Sequence, residues 1–156
     1  MTSVTPREQR RLANGVKQAL REASLQVAML NHQVGTKLGL RDADFDCLNL
    51  LNQHGALGPG ALAKLAGLHP ATMTGVLDRL EKAGFVTRDR DPGDRRAVVV
   101  RTSPERGGEV LGLYAGMNDL MDGICAGYSA EELAVITDFL RRAAAAGRDA
   151  TAKLAD

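Results

Sequence analysis

The sequence predicts a mainly α-helical chain with one small β-hairpin: about six helices and a sheet of two or three strands. Three observations predict it. Apolar residues recur at helical spacing over most of the 156 residues, in runs separated by Gly- and Pro-containing breaks. Between residues 86 and 101 that period gives way to alternation around the turn sequence Asp91-Pro92-Gly93-Asp94. Just before it, two short helical runs are joined by Gly67-Leu68, and that order of elements is a winged helix-turn-helix.

Taken in order, residues 1–6 are expected to be frayed, and one long helix should run from Arg7 to about Leu38. Val16, Leu20, Ala23, Val27, Leu30 and Val34 step alternately by four and three, the seam of a helix that packs along another helix. A helix this long outreaches the core the rest of the chain offers, so a second subunit is the expected partner; an amphipathic helix of a monomer is the alternative. Asp42 or Asp44 should cap a helix reaching about Gln53, with Phe45, Leu48, Leu51 and Cys47 on its inner side. The breaker-rich stretch 54–59 is a loop.

Leu62, Leu65 and Ala66 mark the next, short helix. Pro70 opens the one after it, because the N–H that proline lacks would be unpaired at a first helical position. Its apolar stripe is Met73, Val76, Leu77 and Leu80, which leaves Thr72, Thr74, Gly75, Asp78 and Arg79 nearer the opposite side. Gly84 suits a left-handed helix end, and Phe85-Val86 re-enters the core. The hairpin carries Arg88, Arg90, Arg95, Arg96 and Arg101 against Asp89, Asp91 and Asp94, so it is positive but not strongly so. Ser103 should cap the following helix with Pro104 at its first position, and Gly107-Gly108 weakens the first turns. Leu113, Tyr114, Met117, Leu120, Met121 and Ile124 form its stripe. Gly127 closes it, and Ser129 with Glu132 makes a capping box for a last helix carrying Leu133, Ile136, Phe139 and Leu140.

Composition bounds the rest. A hydrophobic content of 44% suffices for one globular domain or for one completed by a partner chain. The net charge of +1 hides a polarity: residues 1–41 carry seven basic and two acidic side chains, residues 102–156 five basic and nine acidic. Cys47 and Cys125 lie far apart with no Cys-x-x-Cys spacing, which suggests neither a disulfide framework nor a zinc site. No window approaches the length of a membrane span, and the N-terminal stretch lacks an export signal's apolar run, so the expectation is a reduced, cytoplasmic protein.

The ordered set LAKLAGLHPATMTGVLDRLEKAGFVTR, then Asp94-Arg95-Arg96, five residues, and Thr102-Ser103, resembles the MarR-type transcriptional regulators. The resemblance spans nearly the whole chain, with His69 where a capping Ser is common and Thr102-Ser103 in place of the more usual Leu-Thr. It implies a homodimer in which the first helix and the last two interlock with their mates. Three regions follow: 1–40 for dimerisation, 41–102 as the winged helix-turn-helix, and 103–156 again for dimerisation. It also implies a wing arginine, Arg95 or Arg96, in the minor groove of double-stranded DNA, with Asp94 as its brace, and a small, often aromatic or anionic, effector.

Residues 70–83 then belong in a major groove, with Thr72, Thr74 and Arg79 as the leading contacts, His69, Ala71 and Gly75 beside them and Lys64 on a phosphate. Arg88 and Arg90 suit the sugar-phosphate backbone. Arg79 has a rival role in local ion pairs within Asp78-Arg79-x-x-Lys82. A two-fold dimer calls for a pseudo-palindromic operator. The leading expectation is a repressor released by a small effector; the sequence itself does not distinguish repressor from activator. Asn31, His32 and Gln33 are the candidate effector contacts, with a polar helix face as the simpler account. His54 reads as a solvated helix end. No nucleophile-base pair, phosphate-cradling loop or His-Glu-x-x-His appears, so no enzyme, cofactor or metal is expected. The alternatives are a winged-helix module that binds protein, and a thiol-based oxidant sensor. Against the latter, the first helix has no cysteine near its start, and Cys47 reads as a core residue.

Overall fold

The computed structural model describes residues 4–155, and among them six helices and one two-stranded sheet are formed. The order is α1 (Pro6–Lys37), α2 (Asp42–His54), α3 (Pro59–Ala66), α4 (Pro70–Lys82), β1 (Val86–Arg90), β2 (Val98–Thr102), α5 (Pro104–Cys125) and α6 (Ala130–Ala155). They divide into two compact units, Met1–Asp42 and Ala43–Asp156.

In the first unit, α1 starts earlier and more firmly than expected. Thr5 is its N-cap, accepting a hydrogen bond from the Glu8 N–H at 3.3 Å, and Pro6 takes the first helical position. The expected fraying therefore does not reach Thr5 and Pro6; residues 1–3 lie outside the described residues. Along the predicted seam only Val34 is buried, whereas Val16 and Val27 are 46% and 44% exposed. Leu38 and Leu40 are buried, and the Leu40 N–H bonds back to the Gly35 carbonyl to close the helix.

The second unit has its core where α2, α3, α4 and the hairpin meet. Phe45, Cys47, Leu48 and Leu51 come from α2, Leu62 and Ala63 from α3, and Met73, Val76, Leu77 and Leu80 from α4. Phe85, Val86, Val100 and Val110 complete it. Leu65, expected on the apolar stripe of α3, is 36% exposed, and Ala63 is buried in its stead. The Leu68 N–H reaches the Ala63 carbonyl while Gly67, at φ +65°, makes the left-handed turn between α3 and α4.

The hairpin is antiparallel, with Val86 opposite Thr102 and Arg90 opposite Val98. Leu57 adds one bridge to Val100, a rudimentary third strand that ties the segment before α3 to the sheet. Ser103 sits at the N-cap of α5 as expected, but its side chain makes no cap bond; its N–H donates to the Phe85 carbonyl instead. Ser129 and Glu132 do form the capping box, each side chain accepting the other's N–H at 3.2 and 2.8 Å.

Candidate nucleic-acid interface

Helix α4 buries one face completely and offers the other. Met73, Val76, Leu77 and Leu80 are inside, while Ala71, Thr72, Thr74 and Asp78 are exposed and Gly75 and Arg79 half-buried. His69 is the N-cap: its Nδ1 accepts from the Ala71 N–H at 3.2 Å, so the imidazole does here what a serine hydroxyl does elsewhere. Thr74 donates its hydroxyl hydrogen to the Pro70 carbonyl at 3.1 Å, which leaves the oxygen to accept and the methyl to pack.

Arg79 is held by a partner on another helix. Its Nε and Nη2 donate to the two carboxylate oxygens of Asp44 at 2.9 and 2.8 Å, a bidentate fork between α4 and α2. Asp44 is 1% exposed. This carboxylate raises the pKa of Arg79 further above its ordinary value, chiefly through the hydrogen bonds. Neither the cap expected of Asp44 nor the ion pair of Arg79 with Asp78 is what forms: both aspartates considered as caps lie inside α2, and Asp78 is taken by Arg88. Gly75 gives the fork room, since a Cβ there would stand 3.3 Å from Nη1 of Arg79.

Arg88, on β1, reaches back to α4. Its Nη2 donates to Asp78 at 2.7 Å and to Glu81 at 3.0 Å, and its Nε to Glu81 at 3.2 Å. These bonds raise the Arg88 pKa and lower that of Glu81. The hairpin is thereby tied to the helix before it.

At the wing tip the aspartates shape the loop. Asp91 accepts from the Gly93 N–H at 2.9 Å, and Asp94 from the Arg96 N–H at 3.0 Å, while backbone bonds join Asp91 with Ala97 and Ala97 with Asp94. Lys64, Arg90, Arg95, Arg96 and Arg101 are exposed, and among the described residues none of them has a carboxylate partner. The arginines and the lysine singled out in the sequence thus sort into two sets: Arg79 and Arg88, committed internally, and Lys64, Arg90, Arg95, Arg96 and Arg101, solvated on α3, β1, β2 and the tip.

Arg106 was not singled out in the sequence, and it fastens the C-terminal end of α4. Its Nη1 donates to the Ala83 carbonyl at 2.8 Å, its guanidinium lies 4.0 Å from the Phe85 ring centroid, and Glu109 takes its remaining donors. The spacing to Glu109 on one helix was the only visible signal.

The effector candidates lie consecutively on α1. Asn31 is half-buried, His32 and Gln33 are exposed, and Nδ1 of His32 stands 2.7 Å from the Asp42 carboxylate. Cys47 is fully buried; desolvation, aided by the negative charges of Asp46 and Asp44, pushes its thiol up to about 11. Cys125 is half-buried, and both are free. No group of His, Cys, Asp and Glu among the described residues could hold a metal, and no helix there is long and apolar enough to cross a membrane.

Residues 40–98, from the α1–α2 connection to the first residue of β2, match the sequence pattern of the MarR family. An uncharacterized HTH-type transcriptional regulator of Bacillus subtilis, YcgE, is 32% identical over 127 residues, 81% of this chain and 82% of YcgE. This chain belongs to the MarR family. It is also similar to the HTH-type transcriptional repressor YetL of the same organism, 32% identical over 97 residues, which are 60% of this chain and 58% of YetL. The crystal structure of the transcriptional regulator Tm0710 from Thermotoga maritima superimposes with a TM-score of 0.62 at 29% identity, covering 85% of this chain and 94% of that one. The MarR-family winged helix-turn-helix is thus the fold of the second unit's α2–β2 segment, and the chain is an HTH-type transcriptional regulator.

Proposed function

We propose that this MarR-family regulator binds double-stranded DNA as a cytoplasmic homodimer. Helix α4 enters the major groove and the wing tip the adjacent minor groove. One observation carries the reading: Lys64, Arg90, Arg95, Arg96 and Arg101, with no carboxylate partner among the described residues, lie around a helix whose apolar face is buried and whose polar face is small. Thr72 and Thr74 are the base-reading side chains, with His69, Ala71 and Gly75 at the approach to the groove. Lys64, Arg90 and Arg101 meet phosphates, and Arg95 or Arg96 enters the minor groove while Asp94 holds the loop. Arg79 and Arg88 hold the reading head together and contact DNA only with the donors left over.

The second copy is called for by the apolar stripes left open on single helices. On α5, Leu120 and Ile124 are 68% and 56% exposed, and on α6 Phe139 and Leu140 are 40% and 49% exposed. Two reading heads related by a two-fold axis favour a pseudo-palindromic operator with half-sites about one helical turn apart. Occupancy of such a site blocks a promoter, and the repressor YetL among the relatives is in keeping with that direction. A small effector that prefers a dimer geometry unfit for DNA would release it. Burial of Cys47 argues against oxidation as the signal.

The test is a fluorescence-anisotropy titration against DNA upstream of the protein's own gene, at two salt concentrations and beside a scrambled duplex. Selective binding of one dimer with a steep salt slope supports the reading. Absence of binding at low salt would favour a winged-helix module that engages protein.

A further inference from the structure

Several constraints meet at His69. As the residue before Pro70 it is confined to extended backbone, and it sits at φ −65° and ψ 143°. Its carbonyl accepts the first helical bond of α4, from the Met73 N–H at 3.0 Å. Upstream, the bond from the Leu68 N–H to the Ala63 carbonyl fixes the turn that leads into it. Pro70 has no N–H to satisfy, so the cap serves the next residue, and Nδ1 of His69 accepts from the Ala71 N–H. The imidazole is thus held through its backbone and through one ring nitrogen, while the residue itself is exposed at the start of α4.

The held nitrogen decides the chemistry of the other. A ring nitrogen that accepts an N–H carries no hydrogen, so the hydrogen of the capping imidazole is on Nε2. We propose that His69 is a specificity-determining residue whose Nε2–H donates to N7 of one guanine, an assignment that rests on the regulator reading above, with α4 in a major groove. Once capped, the ring has a donor and no acceptor left. Cytosine opposes such a group with an amino donor, adenine sets its amino donor beside N7, and thymine places a methyl beside O4. Guanine offers two adjacent acceptors, N7 and O6, and no donor. A serine hydroxyl in the same cap could still donate or accept after a rotation, and would not discriminate in this way. The imidazole cannot turn over without giving up the cap, so it meets DNA already ordered and loses little further rotamer freedom.

Two measurements test this. Nitrogen NMR of the free, isotope-labelled protein at mildly alkaline pH, with His69→Ser to assign the signals, should show Nε2 protonated and Nδ1 bare; the opposite tautomer overturns the assignment. The second is a double-mutant cycle on an operator selected from random duplexes, its guanines replaced one at a time by 7-deazaguanine. At one position the replacement should weaken wild type about fivefold and leave His69→Ser, which keeps a capping oxygen, unchanged. Equal losses in both proteins at every guanine, or a selected operator without guanine, overturn the base contact alone. So does a loss that follows a neutral methylphosphonate at one position and vanishes in His69→Ser, which would place the ring on a phosphate. No binding of any duplex at low salt would refute the regulator reading itself, and the contact with it.

Discussion

Asp44 and Arg79 are 35 residues apart, yet their fork fixes how α4 lies on α2. Arg79→Ala strands a carboxylate that is 1% exposed. Loss of one partner from a fully buried pair costs roughly 3–5 kcal/mol; with the guanidinium itself partly solvated, about 2 kcal/mol is expected here. Urea denaturation of Arg79→Ala, Asp44→Asn and the double variant would show it, and a wild-type midpoint for Arg79→Ala would count against the fork. His69 makes a second single-residue prediction. His69→Ser should keep the cap and the stability, whereas His69→Ala should lose about 1 kcal/mol. Cys47 makes a third. With its thiol pushed up to about 11 and no exposure, it should react with a disulfide reagent near pH 8 at least about a hundredfold more slowly than Cys125. Peroxide should accordingly leave DNA binding intact.

At the scale of elements, the wing is a hairpin whose tip is shaped by its own aspartates and whose base is fastened to α4. Arg96→Ala should weaken binding to operator and random DNA alike and reduce the salt slope by about one, while Thr74→Ala should relax sequence preference. Equal salt slopes for Arg96→Ala and wild type would remove the wing tip from the interface. The Arg88–Glu81 tie has a defined pH window. Because Glu81 is held below the usual carboxylate range by Arg88, the tie is fully present above that range and is lost only as the pH falls through the depressed value. These elements were legible because each carries its own signal: Pro70 and Pro104 at helix starts, Gly67 and Gly84 at ends, the Ser129–Glu132 box, and a change of period at Val86. The fork of Arg79 and the grip of Arg106 on Ala83 were not. Sequence rules for ion pairs look three or four residues away, and both contacts depend on which helices the core brings together.

The whole molecule leaves apolar stripes uncovered on α1, α5 and α6. Light scattering should therefore give the mass of a dimer. Leu120→Glu, at a site already 68% exposed in one chain, should shift that mass toward the monomer and cut operator affinity without unfolding the winged unit. A wild-type monomer at micromolar concentration would contradict the homodimer. The expectation of a partner comes from the four-three stepping of the first helix, whose seam residues Val16 and Val27 the single chain leaves exposed. An open cleft between α3 and the last turns of α6 could not be read in the sequence, because it forms only where these two segments, far apart in sequence, are brought together.

The fork of Arg88 can also be considered as a matter of rates. Asp78 and Glu81 place two negative charges on the very helix proposed to approach a polyanion, and Arg88 neutralises most of their field before any encounter takes place. Arg88→Gln would uncover them. The complex, once formed, keeps its phosphate contacts, so dissociation should change little, while diffusional capture slows at low ionic strength and recovers as salt is added. In stopped-flow traces the residue would then show itself as a guardian of arrival, invisible to any assay that watches only how long the protein stays.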